Sequence, residues 1–324
     1  MNKQFKPALG LKNGHLQTIY ATFFRKLSAI HFEREKFILS DGDFVECFWH
    51  KIQNHQDNTP IVTLFHGLAG SYKSPYIQGT MQELQNAGFS SVLMHFRGCG
   101  DEENAKARSY HSGDTQDAFE FIQSVKKRYP KAKLFAVGYS LGANMLLKLL
   151  GEKKEQCILN AAVGVSPPLR LDICATHMNS GFAKIYQAHL LKDLNAALLK
   201  KYKKFDMQKL LHLKEQEVST LDTFWKFDDA YTAPVHGFGS AKEYYEKSSA
   251  RQYLKQIHIP TLIIHAKDDP FMTPEVLPNA VELSESISLE VSEHGGHVGF
   301  ISGSFLKPQY WMEKRVVEFF KKFN

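Results

Sequence analysis

The chemistry in this chain rests on a serine enclosed by glycines, a pair of adjacent aspartates, and a histidine that follows two glycines. The serine is Ser140, in Gly138-Tyr139-Ser140-Leu141-Gly142. Lys133-Leu134-Phe135-Ala136-Val137 before it is a short apolar run of strand type, and Ala143 to Leu150 after it is rich in helix formers. G-x-S-x-G at a strand-to-helix junction is a nucleophile elbow. Its turn is so tight that the positions two before and two after the serine need residues with little or no side chain. That geometry lifts the hydroxyl above a sheet and aims N–H groups at a helix N-terminus toward the reacting oxygen. A serine hydroxyl is a weak nucleophile near neutral pH, so it needs a base within hydrogen-bond reach and an acid to orient that base.

In elbow hydrolases these partners follow in the order serine, acid, histidine, each on a loop after a strand. The apolar run Thr261-Leu262-Ile263-Ile264 leads into His265-Ala266-Lys267-Asp268-Asp269-Pro270, which puts a carboxylate at a strand end. Asp269 is favoured over Asp268, because Pro270 stiffens the backbone after it and the more distal position reaches farther over the strand ends. The run Ser288 to Val291 leads into Glu293-His294-Gly295-Gly296-His297. His297 is favoured as the base, since two glycines allow the sharp turn that returns its ring toward the serine. His294 is expected to be structural, bonded to backbone. His265, Asp268, Asp269, His294 and His297 are not assigned to a metal, because no H-E-x-x-H is present and the elbow accounts for the acid and the base. Neither metal nor cofactor is expected. The oxyanion needs two donors, and the elbow supplies the N–H of Leu141. The second is expected from Leu68 in His66-Gly67-Leu68-Ala69-Gly70, where Gly67 lets the backbone approach a substrate closely.

These residues need a scaffold that brings strand ends together. Lys36 to His50 alternates about Ser40-Asp41-Gly42-Asp43, the pattern of a β-hairpin. Strand and helix patterns then alternate: strands at Ile61 to Phe65, Ser91 to Phe96, the elbow strand and Ala161 to Val165, with helices near Tyr76 to Ala87 and Thr115 to Arg128. Such alternation builds a mostly parallel sheet with helices on both faces. From about Arg170 to Gln256 there is no strand pattern but many helix formers, as in Leu190 to Lys204 and Ala241 to Leu254. A helical insertion at this point is expected to cap the strand ends, with Phe182, Ile185, Tyr186, Leu190 and Leu191 walling an apolar pocket. A helix from about Gln309 to Phe323 closes the chain. The expected division is an N-terminal extension over 1–35 packed on the core, a core over 36–169 and 257–324, and a lid over 170–256.

The bulk properties exclude other classes. The 324 residues are 43% hydrophobic and 23% charged, as in globular proteins with a full core. The net charge of +6 is dispersed rather than gathered in one stripe, so nucleic acid is not an expected partner. Cys47, Cys99, Cys157 and Cys174 form no C-x-x-C pair and suggest reduced thiols. No run approaches the ~20 apolar residues of a membrane helix, and Met1 to Lys6 leads into Pro7 rather than an apolar signal core. A cytoplasmic location without stable membrane insertion is expected.

The chain resembles the α/β-hydrolase superfamily, in the branch called the AB hydrolase 4 family, and most closely the bacterial YheT-type esterases. The likeness runs through Asn13-Gly14-His15-Leu16-Gln17-Thr18, His66-Gly67-Leu68, Ser74-Pro75-Tyr76, His95-Phe96-Arg97-Gly98-Cys99, Tyr110-His111-Ser112-Gly113 and the elbow. It continues through Gly237-Phe238, Tyr244-Tyr245, Ser249, Asp268-Asp269 and Gly295-Gly296-His297. The resemblance implies an α/β-hydrolase sheet of about eight strands and a triad on Ser140, Asp269 and His297. It also implies a carboxylic ester or acylglycerol as the small-molecule substrate. Thioester, amide or acyl-transfer chemistry on the same triad, or a non-catalytic binding role for the fold, are the alternatives.

Overall fold

The computed structural model describes residues 4–25 and 30–324, so residues 1–3 and 26–29 of the expected N-terminal extension lie outside the described residues. Eight strands form one sheet: β1 (Glu33–Ile38), β2 (Phe44–His50), β3 (Ile61–Phe65), β4 (Ser90–Met94), β5 (Leu134–Tyr139), β6 (Ala161–Val165), β7 (Thr261–Ala266) and β8 (Ile287–Ser292). Their order is β1-β2-β4-β3-β5-β6-β7-β8. β2 is the one reversed strand, antiparallel to both β1 and β4, and every pair from β4 to β8 is parallel. A short antiparallel hairpin, β9 (Ile301–Gly303) and β10 (Pro308–Tyr310), stands apart from this sheet.

Strands β3 to β7 are buried along their whole length, as befits parallel strands covered on both faces. Alternate residues serve opposite sides. Ile61, Phe65 and Ala136 join the core under α3 (Gln116–Arg128) and α4 (Leu141–Lys153). Val62, Leu64, Phe135 and Val137 join the core on the opposite face, with the last helix and α2 (Pro75–Asn86). The sequence pattern carries β4 on to Phe96, but the ladder ends at Met94, where His95 and Phe96 turn into the loop above the sheet.

Before β1 comes α1 (Gly14–Phe23), whose N-cap Asn13 accepts the N–H groups of His15 and Leu16. Between β6 and β7 the chain is helical: α5 (Leu171–His177), α6 (Ala183–Tyr202), α7 (Met207–Leu211), α8 (Phe224–Phe227), α9 (Ala233–Val235) and α10 (Ala241–Ser248). The run from Ala241 to Leu254 is not one helix. It breaks at Ser249 and resumes as a 3₁₀ segment, Ala250–Gln256. The final helix, α11 (Trp311–Phe320), follows directly on β10.

Candidate active site

The elbow sits where β5 becomes α4. Ser140 has φ 51° and ψ −119°, backbone angles that a residue with a side chain rarely adopts. Its N–H donates to the Val165 carbonyl at 2.8 Å, which ties the strained turn to β6. The flanking glycines are required by close approach. A Cβ on Gly138 would lie 2.4 Å from the Gly142 oxygen, and one on Gly142 would lie 2.5 Å from the His66 and Phe65 oxygens.

Three side chains from separate loops meet above this turn. His297 Nε2 lies 2.8 Å from Ser140 Oγ, and His297 Nδ1 lies 2.7 Å from Asp269 Oδ2. A carboxylate only accepts, so Nδ1 carries the proton and the Nε2 lone pair faces the serine hydroxyl. The other Asp269 oxygen accepts the Phe271 N–H at 2.9 Å, and the Phe271 ring stacks on His297 with centroids 4.1 Å apart. Both partners are nearly inaccessible, with 8% of the His297 side chain and 1% of Asp269 exposed. Water therefore competes little for the hydrogen bond that orients the imidazole.

The neighbouring carboxylate does something else. Asp268 Oδ1 accepts the Gly296 N–H at 2.9 Å, and its second oxygen lies 3.4 Å from His294 Nδ1. Burial raises its pKa. Asp268 thus shapes the glycine turn that carries His297, and the structural partner of His294 is this carboxylate rather than backbone.

The loop expected to supply an oxyanion donor lies beside the elbow, where a Cβ on Gly67 would be 3.3 Å from the Ser140 Cβ. Tyr76 and Tyr110 hydroxyls accept the N–H groups of Gly67 and Ala69, each at 3.0 Å. Between them, the Leu68 N–H has no partner among the described residues. Leu141 is the first residue of α4, and its N–H has no intrahelical acceptor. The loop is fixed from below by His66, whose Nδ1–H donates to the Gly67 oxygen at 2.6 Å while Nε2 accepts the Phe96 N–H at 3.1 Å. Burial, with the neighbouring His95, lowers the His66 pKa to about 3 and keeps the ring neutral.

Sequence reasoning did not single out the residues that hold the histidine turn. Thr18 Oγ1 accepts the His297 N–H at 2.8 Å, and its hydroxyl donates to the Gly14 carbonyl at 2.8 Å. Gln17 is fully buried, accepts the Ile301 N–H and donates to the Leu11 and Ile301 oxygens. Gly14 lies so close that a Cβ there would be 2.0 Å from the Asp268 backbone carbonyl oxygen. The only signal was the Asn13-to-Thr18 motif, whose residue types carry no chemistry of their own.

Beside Ser140 opens a cavity of about 370 Å³. Leu68, Tyr110, Leu141 and Phe271 line it from the core, and Leu171, Met178, Phe224 and Tyr231 from the insertion. Helix α6 contributes Leu190, Asp193, Leu194, Ala197 and Leu198, one face at helical spacing. Of the five wall residues expected from sequence, only Leu190 lies on that face. Phe182 and Ile185 are 50% and 58% exposed, Leu191 is buried inside the insertion, and Tyr186 packs on Phe271. The expected pocket stripe begins two turns too early.

Among the described residues one grouping has metal-ligand spacing: His111, Asp114 and His236, with donor atoms within 4.8 Å of one another. Arg108 occupies Asp114 at 3.2 Å, and Arg97 and Lys148 add positive charge around the imidazoles. That field opposes a divalent cation. His265, Asp268, Asp269, His294 and His297 form no such grouping.

Residues 60–304 match the model of the alpha/beta hydrolase fold family. The Escherichia coli (strain K12) protein named "Putative esterase YheT" is 41% identical over 313 residues, 97% of this chain and 92% of that protein. The Homo sapiens "Monoacylglycerol lipase ABHD2" is 29% identical over 334 residues, covering 97% of this chain and 78% of that protein. Among solved structures, a soluble variant of monoglyceride lipase from Saccharomyces cerevisiae, bound to a substrate analog, superposes with a TM-score of 0.59. That match has 14% identity, covers 92% of this chain and 97% of that one, and speaks for the fold alone. With its sheet order, its elbow and a family match through the core, the chain belongs to the α/β-hydrolase fold family, the fold of the esterases and lipases it resembles.

Proposed function

We propose that this protein hydrolyses carboxylic esters through a covalent acyl-serine, with Ser140 as nucleophile, His297 as general base and acid, and Asp269 as the orienting carboxylate. The observation that carries the proposal is the unbroken line Asp269–His297–Ser140, with links of 2.7 and 2.8 Å at the wall of a largely apolar cavity. As Ser140 Oγ attacks the ester carbonyl, its proton moves to His297 Nε2, and the ring becomes a cation beside Asp269. The Leu68 and Leu141 N–H groups hold the negative carbonyl oxygen, and collapse expels the alcohol with the proton from Nε2. Water, deprotonated by the same nitrogen, then releases the acid.

Helices α5 to α10 act as a lid in this scheme. Their apolar side chains bind the acyl chain and keep bulk water from the acyl-serine. Relatives named as an esterase and a monoacylglycerol lipase support an ester or acylglycerol substrate. The α6 face toward the cavity gives the test. Turnover of p-nitrophenyl esters should climb over the first few acyl carbons, by roughly 0.8 kcal/mol per buried methylene, and then drop at a cutoff. Leu194→Phe should move the cutoff to shorter chains and Leu190→Ala to longer ones. A chain-length profile that neither change moves would separate the cavity from acyl binding.

A further inference from the structure

One face of the molecule combines exposed apolar side chains with exposed lysines. Helix α1 has no acidic or basic residue except His15. Its outward positions Leu16, Phe23 and Phe24 are 47%, 73% and 64% exposed. The Tyr20 ring packs on Phe24 and on Phe305, and the Tyr20 hydroxyl donates to the Phe305 carbonyl at 3.0 Å. That contact joins α1 to the β9–β10 turn, where Phe305 and Leu306 are 53% and 87% exposed. At the other end, the His15 ring lies 4.7 Å from that of Phe182, at the start of α6 beside exposed Ile185. Three segments far apart in sequence thus build one continuous apolar surface. Patches of this kind mark interaction sites rather than ordinary protein surface.

The charges around it choose the occupant. Residues 9–24, 182–185 and 305–306, which supply the exposed apolar side chains, contain no aspartate or glutamate, and the acids near them are engaged: Asp268 by the Gly296 N–H and His294, Glu293 by Lys267 and Glu313 by Arg25. Lys6, Lys12 and Lys184 are exposed there, and Lys307 stands beside Leu306. A second copy of the chain would bring these like charges together. An anionic bilayer would receive the aromatic side chains among its acyl chains and the lysines at its headgroups. We propose that this face docks the protein reversibly on anionic lipid membranes.

The face also lies close to the chemistry. His15 Nδ1 contacts the Tyr186 hydroxyl at 3.1 Å, Tyr186 packs on Phe271 at 5.0 Å, and Phe271 stacks on His297. Docking therefore puts the triad two aromatic side chains from the lipid, the source of an acylglycerol substrate. Binding to vesicles is independent of the esterase proposal, whereas a gain in turnover of lipid-held ester rests on it.

Flotation of the purified chain with phosphatidylcholine vesicles, with and without phosphatidylglycerol, tests the docking. The wild type should float with the anionic vesicles, and salt should weaken the association. The double variants Phe23→Ser/Phe24→Ser, Phe305→Ser/Leu306→Ser and Lys12→Glu/Lys307→Glu should each bind about tenfold less or weaker still. Their turnover of soluble p-nitrophenyl butyrate should stay at the wild-type level, which also reports that they fold. Wild-type protein that stays out of the lipid fraction, or apolar double variants that float as well as wild type, would overturn the proposal. It would equally be overturned if the substitutions turned a dimer into a monomer by light scattering while vesicle binding was unchanged. Absent esterase activity alongside normal flotation would instead contradict the hydrolase proposal alone.

Discussion

The Thr18 side-chain oxygen lies 2.8 Å from the backbone nitrogen of His297 and accepts its N–H. The two residues are 279 positions apart, and the contact joins α1 to the loop that carries the histidine. A buried N–H left without an acceptor costs about 1–3 kcal/mol, and the loop can recover part of that by moving. Any such movement shifts Nε2 relative to Ser140.

Thr18→Val should therefore lower kcat by about tenfold or more while leaving KM for a short soluble ester near its wild-type value. Thr18→Ser, which keeps the oxygen, should restore most of the rate. A purely structural role would lower the thermal midpoint of both variants and leave kcat per folded molecule unchanged.

The aspartate pair gives a differential outcome. Asp269 faces the imidazole, while Asp268 faces the Gly296 N–H and His294. Asp269→Asn should reduce kcat by up to about ten-thousandfold, because the amide favours the wrong imidazole tautomer. Asp268→Asn keeps an oxygen that can accept the Gly296 N–H and should cost far less. Steady-state kinetics on both variants decide the order, and the reverse ranking would move the acid to Asp268.

Acid should loosen the loop that carries Leu68. Burial, with His95 beside it, lowers His66 to about 3, and burial lowers His95 to about 4, with Arg34 acting in the same direction. Each ring uses Nε2 as an acceptor, for the Phe96 and Tyr72 N–H groups respectively. From pH ~6.5 down to ~4 the unfolded chain binds protons that the folded chain refuses. Stability is thus full above the unfolded pKa and falls with pH by about 1.4 kcal/mol per unit for each ring. Asp228, raised by burial to about 6, works in the opposite direction over part of this window. His66→Gln, whose side-chain oxygen can accept the Phe96 N–H without titrating, should flatten the dependence of chemical-denaturation stability on pH below ~6.5. An unchanged slope would remove His66 from the account.

What the sequence reveals and what it hides follow from the range of the forces involved. The elbow is legible because its glycines are demanded by contacts within the turn and with the strand beside it, as the would-be Cβ of Gly142 against His66 illustrates. Strands such as Ile61–Phe65 are legible because both faces are buried and every residue is apolar or Thr. Thr18, Gln17 and Phe271 are not, since a threonine, a glutamine and a phenylalanine become meaningful only once a distant loop is set against them. Helix α1 escapes notice because exposed Leu16, Phe23 and Phe24 erase the polar stripe by which a surface helix is recognised. The β9 and β10 strands, three residues each, are too short to display a period. In α6 the helix itself is visible, but the direction of its cavity-lining face depends on packing that no local pattern records.

Labelling with a fluorophosphonate probe distinguishes Ser140 as the acyl acceptor from every other nucleophile in the chain. Wild-type protein should take up one probe, on the peptide that contains Ser140, and lose its p-nitrophenyl esterase activity in step with labelling. Ser140→Ala should fold with an unchanged melting temperature, take up no probe and turn over at least about a thousandfold more slowly. A Ser140→Ala protein that still labels, or that keeps near wild-type esterase activity, would mean that another residue is the nucleophile.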